Sequence, residues 1–178
     1  MRKFKRIDLT NATEDYFLKV GEEAYISFSN VTQVPLRIAT QDGTYYEMHV
    51  IGSNTLAFPS WQNTSILLAP NNTAYTGEFV HALFYRSGPG FYSSYATNQN
   101  YFFLGAGYTS ATVYITNRLN YKNVRVIQDL YGMSGYGPLM HLVSADWRNT
   151  TTPWTSLGTI IYTWSAASGE ILVRRLRW

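Results

Sequence analysis

Nowhere in this chain do apolar residues recur every three to four positions for three turns, and that absence constrains the fold more than any residue present. Short runs of β-branched and aromatic residues alternate instead with clusters of Gly, Asn, Pro and Ser, the pattern of strands broken by turns. "EAYISFSNV" puts Ala24, Ile26 and Phe28 on one face, and "TYYEMHVIG" alternates Tyr46, Met48 and Val50 with Tyr45, Glu47, His49 and Ile51. "SILLAP" stops at Pro70, before the turn residues of "NNTAYTG". "GEFVHALFYR" sets Phe79, His81, Leu83 and Tyr85 against Val80, Ala82 and Phe84; apolar on both faces, it reads as a central strand. "ATVYITNR", "KNVRVIQDLYG", "PLMHLVSADW", "GTIIYTW" and "GEILVRRLR" follow, with hairpin-like spacing at Asn120–Tyr121 and at "SAASG". About ten strands and no helix are expected. The fold class is all-β, a two-sheet sandwich or jelly roll, formed as a single domain over residues 1–178.

Charge is scarce and unevenly placed. Charged residues make up 14% of the chain, against roughly 25% in a typical soluble domain. The polar surface must therefore be built from hydroxyls and amides, which hydrogen-bond readily and repel neighbours weakly. Seven of the 14 basic residues sit at the ends: Arg2, Lys3, Lys5 and Arg6, then Arg174, Arg175 and Arg177. Between them 7 basic residues face 11 acidic ones, a net charge of −4. The expectation is a basic arm over residues 1–6 and a C-terminal strand over 171–178, both docking onto an acidic neighbour. Nucleic acid is not an expected partner, because only "KNVRV" and the two ends could supply a basic stripe.

The absence of cysteine excludes disulfides, thiol nucleophiles and Cys-ligated metals. "MRKFKRIDLT" lacks the apolar stretch of a secretory signal, and no window reaches the ~18 apolar residues of a spanning helix. Synthesis in a cytoplasm and no membrane partner are expected. The five Asn-x-Ser/Thr triplets, at Asn11, Asn30, Asn63, Asn71 and Asn149, then reflect composition and not glycosylation.

His49, His81 and His141 each lie between apolar strand neighbours, without the His-x-His spacing of a cupin-type metal site. They read as packing or hydrogen-bonding residues, so no metal or other cofactor is expected. The carboxylate pairs Glu14/Asp15 and Glu22/Glu23 flank turns, where solvated charge is the simplest account, and a β-sandwich glycan hydrolase ranks third among the functional readings. No nucleophile elbow, P-loop or dinucleotide fingerprint occurs, and no catalytic residue is assigned.

Aromatic residues carry the strongest signal. Fifteen Tyr, nine Phe and five Trp exceed what one core needs. Phe79, Phe84 and Ile115 are assigned to the core. "RSGPGFYSSYATNQNYFFLGAGY" reads as an uncharged loop whose Phe91, Tyr92, Tyr95 and Tyr101 form an assembly or binding surface. Trp61, Trp147 and Trp154, beside polar turns, are the candidate stacking platform for sugar rings.

The C-terminal "TPWTSLGTIIYTWSAASGEILVRRLRW" resembles the endings of tailed-bacteriophage virion proteins, in which a "SLGTI" strand, a Gly-containing hairpin and an "ILVRRL" strand close a β-sandwich. The resemblance covers about the last 25 residues. It implies a non-enzymatic virion structural or accessory protein: a head decoration, collar, tail or fibre component. Such a protein would be located in the virion as a homo-oligomer among other virion proteins. A carbohydrate-binding or host-recognition module, with a glycan as partner, is the alternative.

Overall fold

The computed structural model of the chain describes residues 4–54, 65–87, 90–106, 110–130, 139–163 and 165–177. Among these there is no α-helix, only thirteen strands and one 3-10 turn at Pro70–Asn72. The strands are β1 (Lys5–Asp8), β2 (Glu22–Val31), β3 (Gln33–Pro35), β4 (Thr44–Asn54), β5 (Ser65–Ala69), β6 (Phe79–Ser87) and β7 (Gly90–Gln99). They continue with β8 (Phe102–Ala106), β9 (Ala111–Arg118), β10 (Tyr121–Leu130), β11 (Leu139–Trp147), β12 (Thr159–Tyr162) and β13 (Ala167–Arg175). All nine runs read from the sequence form strands; the additions are β1, β3, β7 and β8.

Two sheets result, in the orders β1-β2-β13-β4-β9-β10-β11-β6-β7 and β3-β12-β5-β8. β2 pairs with β13, β3 with β12, β4 with β9 and β5 with β8, all antiparallel. These four pairs form one long ribbon, early strands against late ones, with alternate pairs in alternate sheets. Such winding is the jelly roll. Two further hairpins are inserted into it, β6–β7 between β5 and β8, and β10–β11 between β9 and β12. They extend the large sheet beyond β9 as a four-stranded wing. The "SAASG" segment is not a hairpin turn, because β12 and β13 belong to different sheets. The turn between β9 and β10 is a two-residue hairpin at Leu119–Asn120, closed by the Arg118–Tyr121 pair.

Period-2 alternation sends one face of each strand inward. Ala24, Ile26, Met48, Val50, Val113, Ile115, Ile171 and Val173 of the large sheet meet Val34, Ile66, Leu68, Leu104 and Ile160 of the small one, in one hydrophobic cluster. Each of the Val, Ile, Leu and Met side chains among them contributes about 1.5–3 kcal/mol on burial. At the root of the wing the ring of Phe79 meets Phe102 edge-on at 4.7 Å and stacks on Trp147 at 5.6 Å. Gly158, with φ +98°, lies against the Ala69 carbonyl, and a Cβ there would collide with that backbone.

A polar knot fastens the segment after β11. Lys122, 1% exposed, donates from Nζ to the carbonyls of Asn149 at 2.6 Å and Thr152 at 2.5 Å. Its ammonium also lies 4.3 Å from the centre of the Trp147 ring. The Trp147 indole donates to Glu78 at 2.7 Å, and the Asn149 amide donates to the other Glu78 oxygen at 3.1 Å. Asn71 holds the next stretch: its side-chain oxygen accepts from the backbone of Thr155 and Ser156, and its amide donates to the Pro153 carbonyl. Irregular chain is thus tied to the sandwich through side chains where no ladder exists.

Candidate functional site

The wing leaves one sheet face open, and strand register lays out that face in rows. Thr112, Ile127, Leu142, Phe84 and Ser93 follow one another as direct partners across β9, β10, β11, β6 and β7. The next row runs Tyr114, Arg125, Ser144, Ala82 and Tyr95. Ile127, Leu142, Met140 and Phe84 are exposed, Phe84 by 43%, and Phe91 (63%) and Tyr95 (65%) still more so. The rings of Phe84 and Phe91 stack at 5.7 Å. Between the rows the small side chains of Ala82, Ser93 and Ser144 floor a shallow groove walled by Phe84, Leu142, Tyr95 and Arg125. An apolar strip of this kind, rimmed by hydroxyls, marks an interaction surface more than a chance exposure.

A second depression on the same face, of about 490 Å³, is lined by Tyr45, Tyr114 and Tyr121 with Thr116, Asn123, Arg118 and Arg125. The Arg118 guanidinium lies 5.7 Å from the centre of the Tyr45 ring. Arg125 lines both grooves and makes no ion pair among the described residues.

Of the four residues expected to form the binding loop, three lie on a strand, and the four do not converge. Phe91 and Tyr95 face outward from β7; Tyr92 projects from its other face and stacks on Tyr85 at 5.3 Å. Tyr101 is half-buried in the turn between β7 and β8, beside His81 in a separate depression. Hydroxyl and amide residues, read as loop material, here form an exposed edge strand. Trp147 and Trp154 are 3% and 1% exposed, which removes them from any stacking platform. Both fold back into the core at one end of the sandwich, 6.1 Å apart and edge-on. Trp61 lies outside the described residues. Phe84, assigned to the core from its apolar neighbours, is on the open face instead.

The basic ends meet carboxylates of their own sheet. β1 runs parallel to β2, and β13 pairs with the other side of β2. This brings Lys5 to 3.6 Å from Glu22, Arg6 to 3.5 Å from Glu23, and Arg174 to 2.6 Å from Glu23 and 3.4 Å from Glu47. Arg175 donates to the Leu18 carbonyl and covers the Phe17 ring, while Arg177 is exposed; Arg2 and Lys3 lie outside the described residues. The acidic neighbour of Lys5, Arg6 and Arg174 is therefore internal. Glu22 and Glu23 are buried, not solvated as their turn position suggested. The Lys19 backbone N–H, above all, holds the Glu22 carboxyl below its ordinary pKa, with help from the Tyr16 hydroxyl.

Glu78 and Glu170 are likewise engaged, the latter accepting from the Tyr25 hydroxyl at 3.0 Å. His49 sits on the open face between Glu47 and Thr112. His81 stacks on Phe103 and His141 packs edge-on against Tyr85; burial lowers the pKa of both. Among the described residues no three His, Asp or Glu side chains gather as a metal site. Ile127, Met140 and Leu142 were missed by sequence reasoning, although "VRVIQDL" and "LMHLV" carry apolar residues on both faces of a strand. Compared with protein families, curated proteins and solved structures, the chain has no match in any of the three.

Proposed function

We propose that this protein is a non-enzymatic structural subunit of a larger protein assembly, of the kind a virion provides, and that it associates through the open face of the wing. The observation that carries this reading is the exposed row Ile127–Leu142–Phe84 with Phe91 and Tyr95 beside it. Covering that row with protein removes apolar area from water and leaves no charge within the row to desolvate. The jelly roll is compatible, since capsid proteins use it, but lectins and cupins do too, so the surface and not the fold supports the assignment. The C-terminal resemblance to phage virion proteins points the same way. Leu142→Lys would place a charge in the middle of the row. It is expected to abolish association with wild-type particles or partner proteins while leaving the circular dichroism spectrum unchanged. Undiminished association would refute the role of the face.

The second depression favours a second reading, recognition of a saccharide. Tyr114 and Tyr121 offer ring faces to a sugar, and Thr116, Arg118 and Arg125 offer hydrogen bonds around them. Retention on a glycan array, lost in Tyr114→Ala, is the expected result; no retention of the wild type would eliminate this reading.

A further inference from the structure

Among the described strands the four sheet edges, β1, β7, β3 and β8, differ in how they are protected. β1 has four residues, including Lys5 and Arg6; β3 has three and ends at Pro35; β8 has five and carries a bulge opposite Ile66–Leu67 with Gly105 at φ +132°. Shortness, charge, proline and bulging are the means by which edges avoid pairing with other chains. β7 has almost none of them. It is ten residues long, "GFYSSYATNQ", with no proline and no charged side chain, and Phe91 through Tyr95 are exposed without a break. Its register against β6 is regular from Gly90 to Ala96, and the bulge falls beyond, near Asn98.

We propose that β7 pairs antiparallel with β7 of a second copy of this chain, about a two-fold axis at Ser93, joining two large sheets edge to edge. The composition selects a copy over an unrelated partner. Under a two-fold axis, side chains near the centre meet themselves or close neighbours, so any charge there would face a like charge. Absence of charge is what self-pairing requires; a different partner would be free to supply the opposite sign. An axis at Ser93 sets Phe91 opposite Tyr95 of the copy, and Tyr95 opposite its Phe91, on the open face. Cross-strand aromatic pairs are among the more stabilising of sheet contacts. The two Ile127–Leu142–Phe84 rows then flank a shared aromatic centre. This inference names one partner within the assembly reading above, and it can fail separately.

The chain has no cysteine, so a single introduced one reports without background. Light scattering of the wild type should give two chains per particle, and Ser93→Cys should form an intermolecular disulfide under mild oxidation, because directly opposed residues bring their Cβ atoms within reach. Ser27→Cys, at an exposed position of β2 on the other side of the sheet, should not cross-link. Ser93→Lys with Ser94→Lys, both exposed, should weaken the dimer by about tenfold or more with an unchanged circular dichroism spectrum. A wild type that stays a single chain at high concentration would overturn the inference. So would a dimer that survives the lysine pair and never cross-links at position 93; dissociation of that dimer by Leu142→Lys would then locate the contact on the open face and leave the assembly reading standing.

Discussion

Replacing Lys122 with methionine keeps the length of the side chain and removes its charge. In the native protein the ammonium donates to the Asn149 and Thr152 carbonyls and lies over the Trp147 ring. Hydrogen bonds from a charged donor contribute about 1.5–3 kcal/mol each, and the cation–π contact about 1 kcal/mol in a partly desolvated setting. Against these stands the cost of burying an ammonium, several kcal/mol, which the methionine no longer incurs. The variant loses both hydrogen bonds and the ring contact together, leaving the half-buried Asn149 and Thr152 segment without this donor. The balance is a loss of about 3 kcal/mol. For a chain of this size that corresponds to a fall in Tm of about 6–12 °C. Urea unfolding followed by tryptophan fluorescence is suited to the measurement, because Trp147 lies under the Lys122 ammonium, Trp154 packs against Trp147, and both are buried. A midpoint shift with unchanged m-value is expected. If Lys122→Met unfolds within about 0.5 kcal/mol of the wild type, the knot does not hold the segment after β11 and the reasoning fails.

Three further outcomes follow from the geometry. Gly158→Ala combines a positive φ with a collision against the Ala69 carbonyl and should cost more than about 3 kcal/mol by denaturant titration. Arg174→Met leaves buried Glu23 with Arg6 alone; Arg174 is partly exposed, so the expected loss is about 1–2 kcal/mol, read in the same assay. Burial keeps His81 and His141 neutral in the fold, while the unfolded chain protonates them as pH drops through about 6.5. Stability should therefore be steady above pH 7 and decline below 6.5 towards the lowered folded values, with a shallower decline in His141→Phe. Glu22, held low, stabilises the fold throughout the pH range above the ordinary carboxylate values and loses that share as pH falls below them.

Alternation was a good guide wherever one face of a strand is buried and the other wet. β2, β4 and β9 present the predicted residues to the core because a one-residue slip would expose the whole apolar set. The same reasoning misplaced Phe84. Apolar residues on both faces of β6 were read as two covered faces, and periodicity cannot distinguish a second core face from an open one. β7 was unreadable for a different reason: Tyr, Ser, Thr and Asn satisfy an exposed strand and a loop equally well, and only the ladder with β6 decides between them. Pairing of the basic ends with Glu22, Glu23 and Glu47 depends on which strands become neighbours, a long-range property absent from local composition. Trp147, at the end of β11, and Trp154, in the irregular segment that follows, show how residues beside a polar turn can belong to the core when the chain folds over the end of the sandwich.

Because β1 lies parallel to β2 and β13 antiparallel to it, the chain enters and leaves at the same corner of the large sheet, two strand spacings or roughly 10 Å apart. β7 is eight spacings away across that sheet, roughly 38 Å along it. Any polypeptide attached before or after these residues would therefore begin at the side of the large sheet opposite the wing.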